Sequence, residues 1–365
     1  MIGLIGASGA VGGHAARLLS RHGKADLRLG VRRPEAVAPI AADLPGGVEV
    51  VRVDVTEEAS LAAFARDCAV VANCAGPAQH LAEAAALTAW RAGADYVDAG
   101  GDATTAERVA RGGAGGADRR AVFAAGAWPG LSGLLPRWLA AREFTAVHTL
   151  TAYIGVRDRF TATAAADYLD GVLDGASEPL AAWRQGPRSR VLTRLIDEAL
   201  PFFPEDVSAF PYLDHEGEQV ARALDLTRAD WYSVLPGTWG VALDSARTRP
   251  RGDAVADLCR AADLDAAGHP ASTTMLTQLD GEVDGVARTR TGLLQGPGVS
   301  ELTGAVTAVA TLAVLGGAVA PGATCAATAL DPPAAVTWLG AAGVCRVTVL
   351  ETSVAELRAV EEGAL

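Results

Sequence analysis

The sequence predicts an α/β fold in two parts: a doubly wound parallel sheet, then a second α/β domain with a mixed, largely antiparallel sheet. Three observations predict it. Over residues 1–125 short apolar runs alternate with helical stretches, the rhythm of βαβ units with right-handed crossovers. A glycine triplet, Gly6-x-x-Gly9-x-x-Gly12, stands where the first strand should give way to the first helix. After Pro136 the texture changes to longer, widely separated strands of alternating polarity.

In chain order, Ile2–Ile5 is the first strand, and a helix runs from the glycine triplet to about His22. Leu27–Val31 and Val48–Val53 are the second and third strands. Val70–Cys74 is the fourth, followed by a helix over Gln79–Ala92, with Tyr96–Ala99 and Ala121–Ala125 as fifth and sixth. Further on, Val147–Val156, Thr273–Leu279 and Gly285–Leu294 read as strands, separated by a helical, aromatic-bearing insertion over Thr163–Ala223. Cys345–Leu350 is strand-like, and a terminal helix starts near Ser353. A chain of 365 residues exceeds a single core. The expected division is 1–126 and 127–320, with 321–365 a C-terminal segment that fits either domain, packing back on the first being one arrangement.

Half the residues are hydrophobic and 20% charged, a globular composition. The net charge of −12 argues against nucleic acid and anionic membranes as partners. Leu302–Leu330 carries no charge, but Gly316-Gly317 and Pro321-Gly322 interrupt it, so it reads as a buried helix and a loop rather than a membrane span. Cys68, Cys74, Cys259, Cys325 and Cys345 are odd in number and fit neither a zinc site nor a disulfide framework. With Met1 leading straight into a strand, the expectation is a cytoplasmic protein without a metal.

The glycine triplet has a chemical meaning in its strand–turn–helix setting. Gly6 permits the tight turn, Gly9 lets backbone approach a pyrophosphate, and Gly12 lets helix and strand pack closely. With Ala7, Ser8, Ala10 and Val11 it forms a loop whose helix N-terminus attracts phosphate, the mark of a Rossmann dinucleotide domain. The second strand ends Gly30-Val31-Arg32-Arg33, without the acidic residue that accepts from a ribose 2′-hydroxyl. Arg32 and Arg33 instead suit a 2′-phosphate, so NADPH is expected over NADH, a solvated turn being the plainer alternative. Asp54 and Val55 are placed to touch the adenine, and Ala75-Gly76-Pro77 to lie near the nicotinamide.

The only lysine is Lys24, which rules out a Tyr-x-x-x-Lys proton relay. Reduction by hydride still needs a proton source and substrate contacts. His80 follows the nicotinamide-side loop; Asp98 and Asp102 flank Gly100-Gly101 beyond the fifth strand; Tyr153 and Arg157 open the second domain. Each has a plainer role: a cap or exposed position for His80, caps or turns for the aspartates, a half-buried tyrosine and a surface arginine. Cys74 reads as apolar filler rather than a nucleophile. Two aromatic clusters, Phe202-Phe203 with Phe210 and Tyr212, and Trp231-Tyr232 with Trp239, form either a pocket wall, with Tyr232 touching substrate, or a satellite core.

Val70-Val71-Ala72-Asn73-Cys74-Ala75-Gly76-Pro77 resembles a segment of the saccharopine dehydrogenase-like proteins, as does Ala92-Gly93-Ala94-Asp95-Tyr96-Val97-Asp98. Gly126-Ala127-Trp128-Pro129-Gly130-Leu131-Ser132 is similar to that family's crossover between domains, and Thr303-Gly304-Ala305-Val306-Thr307-Ala308 to its late helix. The resemblance implies NAD(P)-dependent reduction of C=N, C=O or C=C bonds and a homodimer through the second domain's open sheet; Trp128 is a further candidate substrate contact. Ala78 stands where the family often has tyrosine, so the lysine-pathway substrate is not carried over. The resulting expectation is an NADPH-dependent reductase of a C=N or C=O bond in a small organic molecule of specialised metabolism. The alternatives are an enoyl reductase of a lipid or polyketide and a non-catalytic dinucleotide-binding sensor.

Overall fold

The first strand, β1 (Ile2–Ile5), is buried along its whole length, as a strand covered on both faces must be. The computed structural model describes residues 1–23, 25–46, 48–113, 118–173, 177–204 and 207–362, so Lys24 lies outside the described residues. Helix α1 (Ala10–His22) stops at Gly23, whose φ of 65° lets its N–H return to the Leu19 carbonyl. The series continues with β2 (Leu27–Val31), α2 (Ala38–Ala42), β3 (Val48–Arg52) and α3 (Glu58–Ala65). It closes with β4 (Val70–Asn73), α4 (Ala78–Arg91), β5 (Asp95–Asp98), α5 (Ala103–Gly112) and β6 (Arg120–Phe123). Phe64, Val71, Trp90, Tyr96 and Phe123 fill the core beneath one face of the sheet.

Beyond this point α6 (Leu131–Glu143) leads to β7 (Ala146–Arg157) and α7 (Ala162–Leu173). The expected helical insertion is helical only at its ends: between α7 and α8 (His215–Ala223) lie β8 (Ser177–Pro179), β9 (Ala182–Arg184), β10 (Pro187–Arg188), β11 (Leu195–Glu198) and β12 (Val207–Asp214). Pro179, Pro187, Pro201, Pro204 and Pro211 explain the correction, since each removes a helix donor and clashes with the preceding turn. Then follow β13 (Arg228–Pro236), α9 (Gly237–Ala246), α10 (Arg251–Ala266), β14 (Ser272–Val283) and β15 (Val286–Gly296). The chain ends with α11 (Val299–Leu315), β16 (Gly322–Cys325), α12 (Ala326–Ala329), α13 (Pro332–Ala341), β17 (Arg346–Leu350) and α14 (Val354–Glu362). The uncharged stretch is thus most of α11, a loop, β16 and α12, and no described helix is long and apolar enough to cross a membrane.

Contacts divide the chain into two units, Met1–Leu134 with Ser300–Leu339, and Leu135–Val299 with Gly340–Leu365. The first holds a seven-stranded sheet in the order β16-β6-β5-β4-β1-β2-β3, with every pairing parallel. The second holds a ten-stranded mixed sheet along β10-β9-β13-β7-β14-β15-β17, in which β13 and β7 run parallel and their other pairings antiparallel. These units differ from the expected boundaries. Residues 321–365 are split, because β16 pairs with β6 while β17 pairs with β15. Helix α11, expected in 127–320, belongs to the first unit.

Candidate functional site

In the first unit β1 lies between β2 and β4, so the chain order reverses there, and a crevice opens at the carboxyl ends of such strands. The glycine loop sits at that point. Gly6 has φ +79°, and a Cβ on it would come within 2.8 Å of the Ala75 nitrogen. A Cβ on Gly12 would lie 2.2 Å from the Gly6 carbonyl oxygen, so the helix could not start this close to the turn with any other residue. The Gly9 N–H donates to Gly6 O at 2.9 Å and closes the turn. Gly9, the N-cap, has no side chain to cap α1, so the first-turn N–H groups of Ala10, Val11 and Gly12 receive no side-chain cap from it. Ser8, Gly9 and Ala10 are exposed at the rim while Ala7 is buried beneath it. The cradle therefore fits a pyrophosphate and has no room for added side-chain carbon.

At the end of β2 the geometry refines the sequence reading. A Cβ on Gly30 would meet Val53 Cγ1 at 2.7 Å and Phe64 Cε2 at 2.8 Å, so this glycine answers to core packing rather than to cofactor choice. Arg32 and Arg33, the next residues past Val31, are exposed. Asp54 accepts from the Thr56 hydroxyl at 2.7 Å and the Thr56 N–H at 3.0 Å. Those hydrogen bonds, aided by Arg32 and Arg52, hold its carboxyl below the usual range. Val55 beside it is half-buried.

The ends of β4 and β5 are tied together by side chains. Asp98, a candidate catalytic group, is 1% exposed. It accepts from Asn73 Nδ2 at 2.9 Å, from the Tyr96 hydroxyl at 2.5 Å and from the Gly100 N–H at 2.9 Å. Burial pushes its carboxyl up despite these donors. Asn73 also exchanges hydrogen bonds with both backbone groups of Ala75 (3.1 and 3.2 Å), which shapes the Ala75-Gly76-Pro77 turn with its cis Gly76–Pro77 peptide. Asp102 caps α5, accepting from the Thr105 N–H and hydroxyl, both at 2.8 Å. His80 is exposed in the first turn of α4. Burial, with Asp98 nearby, pushes the Cys74 thiol up, which disfavours the thiolate a nucleophile needs.

Trp128, half-buried, lies in the first unit, in the loop between β6 and α6. Tyr153, Arg157 and Tyr232 lie in the second. Tyr153 stacks on Tyr232 with ring centroids 4.9 Å apart, and burial raises the Tyr232 hydroxyl to about 12. Arg157 pairs with Asp265 at 3.7 Å. The aromatic clusters do not form one wall. Phe210 and Trp239 pack with Phe160 and Tyr168 in one core, while Tyr232 and Phe203 belong to another with Tyr153. Both are satellite cores built on the β13 strand. Among the described residues no three His, Cys, Asp or Glu side chains gather as metal ligands.

Sequence reasoning missed the role of Asn73, and of three residues in α11. Thr303 Oγ1 accepts from Ala127 N–H at 3.2 Å, Thr307 donates to Ala125 O at 2.8 Å, and Gly304 abuts the first turns of α1. The quoted motif around Thr303 marked the segment but not what it touches.

The comparisons bear on this site. The family described as saccharopine dehydrogenase NADP binding domain matches residues 2–114. Apo saccharopine dehydrogenase (L-Glu forming) from Saccharomyces cerevisiae shares the fold at 14% identity, with 96% of this chain and 99% of that one covered and a TM-score of 0.69. The DAP dehydrogenase of C. glutamicum in complex with DAP aligns at 15% identity over 94% of this chain and 98% of its own, with a TM-score of 0.47. A myo-inositol dehydrogenase from Corynebacterium glutamicum ATCC 13032 aligns at 11% identity over 96% and 99%, with a TM-score of 0.44. No curated protein sequence matches the chain. The glycine loop at the β1–α1 turn and the strand order that reverses beside it lie within the matched residues 2–114, so the first unit carries an NADP-binding domain of the saccharopine dehydrogenase type, the domain of an NAD(P)-dependent oxidoreductase.

Proposed function

We propose that this protein reduces a C=N or C=O bond of a small organic substrate with NADPH. The observation that carries the reading is the Gly6–Gly12 cradle with Arg32 and Arg33 exposed at the end of the neighbouring strand. NADPH, when bound, supplies the hydride. The N–H groups of Ala10, Val11 and Gly12 hold its pyrophosphate, and the two guanidinium groups pair with its 2′-phosphate. Asp54 and Val55 border the adenine, and Ala75-Gly76-Pro77 borders the nicotinamide half. Trp128 is the substrate contact proposed from this unit. Asp98 and Asp102 are not assigned chemistry, because their oxygens serve the protein's own donors.

NADPH is expected to bind tighter than NADH. Charge-assisted hydrogen bonds contribute about 1.5–3 kcal/mol each, so Arg32→Ala with Arg33→Ala should remove about a hundredfold or more of that preference. Fluorescence titration of both cofactors checks it, and equal dissociation constants in the wild type would refute the preference. Oxidation of NADPH in the presence of a panel of carbonyls and preformed imines tests turnover itself.

His80 is the proposed proton donor, since it is exposed one turn beyond the nicotinamide-side loop. His80→Gln is expected to slow reduction at saturating NADPH by about a hundred- to ten-thousandfold, with the melting temperature unchanged. A near-normal rate removes His80 from the mechanism.

A further inference from the structure

A dinucleotide lies across two mononucleotide-binding halves, here β1–β3 and β4–β6. Helix α11 enters the first unit from a distant part of the sequence and touches both halves. On the phosphate side, a Cβ on Gly304 would lie 2.5 Å from Val11 O and 2.9 Å from Ala15 N, so the backbones of α11 and α1 meet with nothing between them. On the other side, strand β6 has ended at Phe123, and the chain turns through Ala125, Gly126 and Ala127. Two α11 hydroxyls, one helical turn apart, hold that turn. Thr307 Oγ1, fully buried, shares its proton between Ala125 O at 2.8 Å and the Thr303 carbonyl of its own helix at 2.9 Å, and Thr303 Oγ1 accepts from Ala127 N–H at 3.2 Å. Ala125 N–H in turn donates to Asp98 O at 2.9 Å, which links the turn to the end of β5. The Thr307 hydroxyl also reaches the Cys74 thiol, at the residue after β4.

A buried helix needs no hydroxyls to pack, and in a helix interior they compete with the backbone. Here, beyond the bond of Thr307 to its own helix, both hydroxyls reach one turn of the nicotinamide half, while the glycine between them in sequence sets the approach to the phosphate half. We propose that Thr307 is a positioning residue for the nicotinamide half of the cofactor, and that α11 is a strut fixing the turn after β6 relative to the phosphate-binding end of α1. The inference rests on the NADPH reading above.

The test compares two ligands on the full chain. NADPH spans both halves; 2′,5′-ADP carries the adenosine and phosphate portion and lacks the nicotinamide half. Thr307→Val keeps the shape and deletes the hydroxyl, and Thr307→Ser restores it. The expected result is that Thr307→Val weakens NADPH about tenfold, the scale of one lost hydrogen bond, with 2′,5′-ADP affinity held and Thr307→Ser close to wild type. An equal loss for both ligands, which a merely structural threonine would give, overturns the proposal, and so does no loss for either. If Thr307→Val does not fold, Thr303→Val deletes the other anchor of the same turn and is read against the same outcomes. A wild-type protein that binds neither NADPH nor 2′,5′-ADP brings down the cofactor reading itself, and this inference with it.

Discussion

Gly12→Ala is expected to raise the dissociation constant for NADPH by about a hundredfold or more, the loss of roughly two charge-assisted hydrogen bonds. The added Cβ would sit 2.2 Å from the Gly6 carbonyl oxygen and 2.7 Å from the Gly6 carbonyl carbon. Both are backbone atoms of a closed turn, so neither can rotate aside as a side chain would. The helix start has to move away from the turn, and its N–H groups move with it. A cofactor titration with a far-ultraviolet dichroism spectrum on the same sample checks this, because the lesion is local. An affinity within a few-fold of wild type, in a folded variant, would mean that the pyrophosphate is held elsewhere.

The second large effect is on stability. Asp98→Ala leaves the Tyr96 hydroxyl and the Gly100 N–H without their acceptor inside the protein, and leaves Asn73 Nδ2 with Ala75 O alone. Stranded donors cost about 1–3 kcal/mol each, so a total loss of about 2 kcal/mol or more is expected in denaturant unfolding. Unchanged stability with abolished turnover would instead return Asp98 to the chemistry. The same carboxyl makes a pH prediction. Burial raises its folded-state pKa, so the folded protein holds this proton more tightly than the unfolded chain. Its contribution to stability is therefore full below the unfolded carboxyl pKa, declines as pH rises toward the raised folded value, and is flat above it. Asp98→Asn, which does not titrate, should flatten that part of a melting-temperature profile against pH.

How much of this could be read from the sequence depended on how local the determining contacts were. The strands of the first sheet were legible because Ile2–Ile5, Leu27–Val31 and Val70–Asn73 are apolar runs bounded by turns. The glycine loop was legible because its spacing is itself the geometry. Gly30 was harder: its meaning lies in Val53 and Phe64, on other elements. Asp98 was read as a candidate acid because the sequence does not show Asn73 folding back to it across 25 positions. The stretch over Thr163–Ala223 was expected to be helical, and it is so at both ends, while its prolines broke the middle into short strands. Strand β13 escaped notice because it is buried on both faces and shows no alternation, so Trp231-Tyr232 registered only as aromatics. The link from Thr307 to Ala125 spans 182 positions and no motif announces it.

The split of the sheet edge has a consequence for how the protein is made. Strand β6 pairs with β5 on one side and waits for β16 on the other, and β16 lies roughly 200 residues further along the chain. At about 5–20 residues per second a ribosome needs on the order of 10–40 s to deliver it. During that interval a nascent chain carries an apolar strand with an open row of donors and acceptors, the kind of edge that recruits a neighbouring chain. A premature stop before Gly322 makes the exposure permanent. It also removes β17, which completes the sheet beside β15, so one nonsense codon late in the message disables both units at once.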